Sequence, residues 1–365
     1  MKLNSKSVRY RDLQKLTLVI LSKDREAELN QTLNYWSKTP VSIVIIHDTQ
    51  NPLKSNALNT NVVYINSKEH ILDRLLLSLS YILTPYAMIA NDDEIFLYDP
   101  LVKFINFLDD ESNFEAVGGP VISYTWFGNK LLSNQIYPFL KNFSNSEKLP
   151  INRIRTTFET KNVMDLTLMY RSEQFKCIVK CCSYFSKYST PVMYETMFAF
   201  FSSYFCRSFR MDDIYWMRNW FTPFQQLEKW DRKLTWNAWC TDPKFQVEVA
   251  DWENVFAAVV KNELNFSNLE IESFIKYLIN WAAIGNNKKF SRNEVKWAFL
   301  KNYIRPFLPD FLVWKLKRIF PFFRRKIMPD LGSLVNAKNS YLNISPSDLE
   351  NFKYFAIEQK MLLKK

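Results

Sequence analysis

Glycine and histidine are scarce in this chain. Among its 365 residues, 5 are glycine and 2 are histidine. So few glycines argue against a glycine-rich dinucleotide-binding fold, and neither a GxGxxG nor a GxxxxGKS/T motif occurs. The 5 cysteines form no CxxC pair, so with only 2 histidines a structural zinc site is not expected. We predict reduced core thiols in a cytosolic protein at Cys177, Cys181, Cys182, Cys206 and Cys240.

The chain also lacks long apolar runs. No uninterrupted apolar segment is long enough to span a bilayer, and no apolar stretch follows the basic N-terminus soon enough to form a signal peptide. These absences predict a cytoplasmic location. Positive charge, by contrast, is abundant. The formal net charge of +11 favours an anionic partner, which could be nucleic acid, an acidic membrane or a phosphorylated substrate.

Apolar segments typical of strands alternate with amphipathic helical patterns. In chain order, the first predicted strands and helices cover residues 15–21 (strand), 26–36 (helix), 41–46 (strand), 62–65 (strand), 71–83 (helix) and 86–90 (strand). Such alternation favours an α/β fold with a mostly parallel central sheet flanked by helices. Strands are also predicted at 115–124, with a glycine turn inside this run, and at 165–170. The segment 128–162, rich in Asn, Lys, Ser and Pro, is predicted to be a long insertion loop.

The pattern changes near residue 225. From there onward it becomes helical and contains many tryptophans. We therefore predict two domains, an α/β domain at 1–225 and a mainly helical C-terminal domain at 226–365.

A dense acidic cluster, Asn91-Asp92-Asp93-Glu94, directly follows the strand predicted at 86–90. Adjacent carboxylates repel one another, so a short buried stretch that contains several of them needs a counter-charge nearby. A divalent cation with oxygen ligands is the usual counter-charge. In an open α/β sheet, ligands bind at the carboxyl ends of strands. The cluster therefore predicts a metal–diphosphate site. A polar loop or helix cap is the alternative, since Asp and Asn favour both.

The order of these segments resembles a known family. A strand leads into Ser22-Lys23-Asp24-Arg25 and a helix, a second strand ends in Asp48, and a later strand ends in Asp92-Asp93. This order is similar to that of nucleotide-sugar-dependent glycosyltransferases of the GT-A fold, in the family-2-like bacterial group. The acidic cluster resembles their DxD motif, with Asn91 in place of the first Asp. The resemblance covers roughly residues 15–225 and includes the segment 168–173.

The resemblance implies a GT-A-like fold, a nucleotide-sugar donor and a Mg²⁺ or Mn²⁺ cofactor. It implies Asp93 as the principal metal ligand and Asp92 as the second. Contacts to the nucleotide are implied for Ser22, Asp24, Arg25, Asp48, Asn91 and Asp92. Helix capping by Asp24 and Arg25, and turn formation by Asp48, remain the alternatives.

A transferase of this kind needs a base that deprotonates the acceptor hydroxyl and a cation that stabilises the departing diphosphate. Glu195 lies on an otherwise apolar, aromatic helix, where partial desolvation would raise its pKa. Its position is similar to that of the catalytic acidic residue in the family. Asp212 and Asp213 are competing candidates, and Arg218 could stabilise the leaving phosphates. A salt-bridged helix carboxylate and an arginine stacked on tryptophan are the alternatives.

The segment 303–328 alternates aromatic and aliphatic residues with seven cations, Arg305, Lys315, Lys317, Arg318, Arg324, Arg325 and Lys326. Apolar anchors beside cations suit the anionic inner face of the cell membrane, and a basic face over an aromatic core is the alternative. Nucleic-acid binding is not favoured, because no matching motif accompanies the segment.

The sequence thus predicts sugar transfer to a hydroxyl of a surface glycan, free or lipid-linked, with inversion implied by the resemblance. Two other classes stay open: a sugar-phosphate nucleotidyltransferase, and a non-catalytic protein that binds membranes or polyanions.

Overall fold

The computed structural model describes residues 10–53, 61–127, 130–136, 143–160, 164–188, 191–219, 236–284 and 344–362. Its eleven strands are β1 Leu16–Lys23, β2 Ser42–Asp48, β3 Val62–Asn66, β4 Tyr86–Asn91, β5 Ile95–Phe96, β6 Ala116–Gly118, β7 Val121–Phe127, β8 Lys130–Ile136, β9 Met169–Arg171, β10 Ser208–Arg210 and β11 Trp216–Asn219. Its α-helices are α1 Glu26–Trp36, α2 Ile71–Ser78, α3 Tyr98–Asp110, α4 Pro150–Glu159, α5 Ser172–Ser183, α6 Pro191–Phe205, α7 Trp236–Thr241, α8 Gln246–Leu264, α9 Asn268–Ile284 and α10 Pro346–Leu362.

A seven-stranded sheet forms the centre of the α/β region, in the order β10-β6-β9-β4-β1-β2-β3. Strand β1 pairs in parallel with β2 and β4, and β2 pairs in parallel with β3. Only β9 runs against its two neighbours. Leu18, Val19 and Ile20 of β1 are completely buried, and each such aliphatic side chain contributes about 1.5–3 kcal/mol. The predicted fold class, a mostly parallel sheet flanked by helices with a helical C-terminal region, is confirmed.

A second, four-stranded sheet has the order β5-β11-β7-β8. The run 115–124, predicted as a strand with a glycine turn inside it, divides at the glycines into β6 and β7, and these two strands belong to different sheets. Gly119 lies at the break. A Cβ atom there would come within 2.4 Å of the backbone oxygen of Asp213, so no other residue fits without moving the chain.

Two other local predictions also need correction. The segment 128–162 is not simply an insertion loop, since its described residues include β8 and helix α4. The strand predicted at 165–170 begins as a 3₁₀ turn, Met164–Thr167, and only Met169–Arg171 is extended. Of the predicted core cysteines, Cys177 is exposed, whereas the other four are buried.

The chain divides into two compact units. The first contains Met1–Tyr124, Gln135–Trp220 and Val335–Lys365, and the second contains Thr125–Asn134 and Phe221–Leu334. In the second unit, α7, α8 and α9 enclose Trp236, Trp239 and Trp252, whose ring centroids lie 5.3–6.0 Å apart.

Helix α10 packs on the first unit, although its sequence falls within the predicted C-terminal domain. Gln31 of α1 donates a hydrogen bond of 2.6 Å to the backbone oxygen of Phe355. The carboxylate of Asp348 accepts hydrogen bonds of 3.0 Å from the backbone N–H groups of Tyr98 and Asp99. A residue about 250 positions later in the sequence thus caps the start of α3. The end of the chain therefore supports the helix that directly follows β5.

Among the described residues, no helix combines the length and the apolar character that crossing a membrane requires. The basic aromatic segment 303–328 lies outside the described residues, so the membrane contact predicted for it stays a prediction.

Candidate active site

The acidic loop, residues Asn91–Glu94, lies at the carboxyl end of β4, near the middle of the large sheet. Strands β1 and β4 are parallel, and Leu21 lies opposite Asn91. Both strands therefore end at the same edge, and the loop after β1 meets the acidic loop. This is the edge at which ligands bind in open α/β sheets.

Arg25 is the cation that the acidic loop contacts from the β1 side. Its two terminal nitrogens lie 2.6 Å from Asp92 Oδ1 and 2.8 Å from Asp93 Oδ2. Ser22 donates a hydrogen bond of 2.7 Å to Asp92 Oδ2. All three charged side chains are largely buried, at 5–12% exposed. The counter-charge that the sequence leads one to expect is therefore supplied in this structure by an arginine.

The turn between β1 and α1 directs Arg25 toward the acidic loop. Asp24 has a φ of 50°, a left-handed conformation that costs most residues about 1–2 kcal/mol but that Asp adopts more readily. Its N–H donates to the backbone oxygen of Asp48, which ties the turn to the end of β2. The carboxylate of Asp48 pairs with Lys23. Ser22, Asp24, Arg25 and Asp48 are thus gathered at one edge of the sheet, and their contacts with a nucleotide stay a prediction.

Glu94 is held by groups from two strands. Its carboxylate accepts hydrogen bonds from Asn91 Nδ2 at 2.6 Å and Trp216 Nε1 at 2.7 Å. Arg218 Nε lies 3.0 Å from the other carboxylate oxygen. The antiparallel register of β11 and β5 sets Met217 opposite Ile95, so one further residue brings Arg218 level with Glu94.

Burial strongly affects the acidity of this cluster. It raises the pKa values of Asp92 and Glu94 to about 7 each. Arg25 opposes the rise at Asp92 and Arg218 opposes it at Glu94, whereas the charge of Asp93 adds to both. Burial would lower the pKa of Arg25, but Asp93 and Asp92 outweigh it and raise that pKa. The loop therefore holds negative charge only as long as the two arginines balance it.

Glu195 lies on α6 with an exposed side chain. The surrounding protein nevertheless desolvates its carboxylate and raises its pKa, while Arg218 opposes that rise. Burial raises the pKa of the adjacent Tyr194. The charges of Glu195 and Glu94 add to this rise, and Arg218 opposes it. Glu195 and the acidic loop therefore share one electrostatic neighbourhood through Arg218.

The competing acids lie elsewhere. Asp213 pairs with Lys103 of α3 at 2.5 Å, and Asp212 is exposed. Both precede β11 at the end opposite Arg218. The antiparallel pairing with β5 therefore carries them away from the acidic loop.

The side chains of this site could supply only a small part of the ligands that a divalent cation needs. Among the described residues, no group of three or more His, Cys, Asp and Glu side chains could hold a metal ion. Asp92 uses both carboxylate oxygens, on Ser22 and Arg25. A cation here would take Asp93 as its principal protein ligand and obtain most of its other oxygens from a bound diphosphate and water, which is common for Mg²⁺.

Sequence reasoning missed two structural links in this site. Thr32 of α1 donates to the backbone oxygen of Asp92 at 2.7 Å, and Arg74 of α2 donates to the backbone oxygen of Ser22 at 2.8 Å. It placed Glu94 in the acidic cluster and considered an arginine stacked on tryptophan, but it did not predict that Trp216 and Arg218 both bind Glu94. The one available signal was the Trp216-x-Arg218 spacing, since residues two apart on a strand share a face.

No protein family model matches the sequence, and no curated protein matches it. Solved structures do match. The 1–349 fragment of S. aureus TarS is 12% identical, with 95% of this chain and 91% of that chain covered, at a TM-score of 0.48. The same fragment in complex with UDP-GlcNAc gives 12% identity, the same coverage and a TM-score of 0.47.

Against the longer TarS chain, the match covers 70% of this chain but 44% of that one, at 12% identity and a TM-score of 0.42. The mannosyltransferase PcManGT from Pyrobaculum calidifontis, in complex with GDP-Man and Mn2+, is 9% identical, with 84% of each chain covered and a TM-score of 0.35. These likenesses are remote, and the function proposed below rests on the residues of this chain.

Proposed function

We propose that this chain is a glycosyltransferase of GT-A type, which moves a sugar from a nucleotide diphosphate donor to a hydroxyl group. One observation carries the proposal: the acidic loop ends β4 at the carboxyl edge of the sheet, where Arg25 meets it from the end of β1. Carboxylates and an arginine at this edge suit a cation bound together with a diphosphate.

The donor would bind across the ends of β1, β2 and β4. Arg25 lies at the start of α1, where backbone N–H groups and the helix dipole add to its attraction for phosphate. Asp48, whose carboxylate pairs with Lys23 at the end of β2, would contact the ribose or base. A Mg²⁺ or Mn²⁺ ion at Asp93, with Asp92 behind it, would neutralise part of the diphosphate charge.

Glu195 is the preferred base. Its carboxylate would take the proton of the acceptor hydroxyl, whose oxygen then forms the bond to the anomeric carbon as the bond from that carbon to the donor phosphate breaks. The electron pair leaves with the nucleoside diphosphate, and Arg218 would stabilise the charge that develops there. Attack from the face opposite the leaving group inverts the configuration. Glu195 is favoured because Arg218 influences its pKa, whereas Asp213 pairs with Lys103 and Asp212 is exposed.

The acceptor is proposed to be a growing surface glycan, carried on a lipid or free. A cytoplasmic enzyme that reaches such an acceptor would work at the inner face of the membrane, and the segment 303–328 supplies cations and apolar anchors for that surface.

The proposal is tested with Asp93→Ala. Thermal shifts are measured with UDP, GDP, UDP-GlcNAc and GDP-Man, each with and without Mn²⁺, and product release is followed by chromatography. We expect at least one nucleotide to stabilise the natural chain in a Mn²⁺-dependent way, and Asp93→Ala to abolish both that effect and release of the nucleoside diphosphate. Asp110→Ala, an exposed carboxylate at the end of α3, is the control.

Two results would count against the proposal. Unchanged turnover in Asp93→Ala would remove the role given to the acidic loop. Release of pyrophosphate from a nucleoside triphosphate and a sugar phosphate would instead identify a nucleotidyltransferase.

A further inference from the structure

Helix α10 presents one buried face to the first unit. Asp348, Phe352, Phe355 and Ala356 are spaced as one side of a helix, and they are 0–2% exposed. Tyr354, on the other side, is 61% exposed. The last described helix is therefore part of the core of the first unit, and its contacts there fall on the elements that surround the acidic loop.

Helix α1 holds the backbone of the chain around the acidic loop at two points. Thr32 donates a hydrogen bond of 2.7 Å to the backbone oxygen of Asp92, and the Tyr35 hydroxyl donates one of 3.0 Å to the backbone oxygen of Phe96. The two donors lie about one turn apart on α1. They fix the backbone before and after Asp93, so the position of α1 sets the position of the acidic loop.

Helix α10 holds the same turn of α1 from the other side. Gln31 donates its hydrogen bond of 2.6 Å to the backbone oxygen of Phe355. The Phe355 ring meets the Tyr35 ring edge to face, with 5.7 Å between the centroids. Because Thr32 lies between these two residues of α1, Phe355 supports the turn that contacts the acidic loop.

Helix α10 also fixes the chain that follows the acidic loop. The carboxylate of Asp348 binds the N–H groups of Tyr98 and Asp99, which begin α3 two residues after Phe96. The Tyr98 hydroxyl in turn donates a hydrogen bond of 2.5 Å to the backbone oxygen of Tyr35. Helix α10 thus fixes this chain directly, through the start of α3, and indirectly, through α1.

A third contact joins α10 to the small sheet. The Phe352 and Tyr124 rings lie edge to face, with 4.8 Å between their centroids. Tyr124 lies opposite Asn219 on β11, and the antiparallel register of β11 and β5 carries this row to Asp93. The same face of α10 therefore contacts the small sheet level with the acidic loop.

We propose that α10 is a positioning element for the donor site. Phe355 and Asp348 hold α1 and the start of α3, so that the acidic loop keeps the arrangement that binds a cation and a diphosphate. The proposal rests on the proposed function for its binding part, but the hold on the loop can be measured without any ligand.

The first experiment measures the hold itself by hydrogen–deuterium exchange of the full-length protein, read by peptide mass spectrometry. In Phe355→Ala, we expect the amides of residues 92–99 to exchange about tenfold faster and those of β2 to be unchanged, because one supporting contact of α1 is lost while the centre of the sheet stays intact. Unchanged exchange at 92–99, or an equal increase in β2, would overturn the proposal.

Three further variants make this experiment specific. Tyr354→Ala, which removes the exposed neighbouring ring, should change neither region. Phe175→Ala removes a fully buried ring of α5 and controls for lost core packing, so it should not act selectively on residues 92–99. Phe355→Leu keeps most of the buried volume and folds more readily than the alanine variant. It should raise exchange at 92–99 by a smaller factor, and no increase there would equally overturn the proposal.

The second experiment measures binding of UDP and GDP with Mn²⁺ by calorimetry, at a temperature at which circular dichroism shows every variant folded. We expect Phe355→Ala to raise Kd about tenfold, as is typical when the support of a metal site is removed, and Phe355→Leu to recover part of the loss. Adding Thr32→Val to Phe355→Ala should raise Kd little further, because both changes act on the same contact of α1 with the acidic loop. An unchanged Kd in Phe355→Ala, or fully additive losses in the double variant, would contradict the proposal.

The two experiments separate two failures. A natural chain that binds neither nucleotide would refute the proposed function, while the exchange rates would still decide whether α10 holds the acidic loop.

Discussion

Removing Arg25 should reveal how strongly the acidic loop depends on its counter-charge. In Arg25→Ala, Asp92 and Asp93 stay largely buried but lose the guanidinium at 2.6 and 2.8 Å. Breaking a buried pair by deleting one partner costs about 3–5 kcal/mol, and we expect a loss of that size in the free energy of unfolding at pH 8.

The loss should depend on pH. The pKa of Asp92, about 7 in the folded chain, lies above the ordinary value for Asp, so this group stabilises the fold fully at low pH and its contribution is lost as pH rises toward 7. Without Arg25 that pKa rises further. At pH 5.5, protonating a carboxyl with an ordinary pKa of about 3.9 costs about 2 kcal/mol, which limits the penalty there. The difference between the variant and the natural chain should therefore shrink from pH 8 to pH 5.5.

Chemical denaturation at the two pH values, with and without Mn²⁺, measures these effects. A cation that replaces the missing charge should restore part of the stability, by about 2.7 kcal/mol at a hundred times its Kd. Arg207→Ala is the control, because its pair with Glu115 is more exposed and should contribute no more than about 1 kcal/mol. A loss that is equal at both pH values, or equal to that of the control, would refute the reasoning.

Two further predictions follow from single contacts. Glu195→Gln should lower the rate of transfer about 10²- to 10⁴-fold while nucleotide binding, measured by thermal shift, is unchanged; retained transfer would mean that the base lies elsewhere. Asp348→Ala removes the acceptor of two N–H groups at the start of α3 and should lower the free energy of unfolding by about 1–2 kcal/mol, whereas Glu350→Ala, exposed on the same helix, should have no measurable effect. Equal unfolding free energies for these two variants would show that the cap is unimportant.

The sequence predicts those parts of the fold that local patterning controls. The helix at 26–36 has the predicted bounds, and β1, β2 and β4 differ from prediction by one or two residues at their ends. Apolar runs, helical spacing and a proline after the helix are all local signals. The same signals also predict that the acidic loop lies at the carboxyl edge of the sheet, because the carboxyl ends of parallel strands lie at one edge.

What the sequence did not reveal depends on contacts between distant segments. The glycine turn at 118–119 was predicted, but not that the strands on its two sides belong to different sheets. The partners of Glu94 on β11 were also missed, because the pairing of β11 with β5 is not visible in one sequence. For the same reason, the acidic loop was expected to need a cation as counter-charge, whereas Arg25 and Arg218 already contact it. The segment 128–162 was predicted to be a loop because its composition is polar. It nevertheless contains a short strand and a ten-residue helix.

The contact of α10 with α1 has a consequence for how the protein is made. Phe355 and Asp348 support helices that begin at residues 26 and 98, while the residues Phe221–Leu334 form a separate unit in between. During synthesis on the ribosome, the first unit cannot acquire this support until residues 346–362 have emerged. A nascent chain paused within the second unit should therefore carry an immature first unit that proteases cut readily.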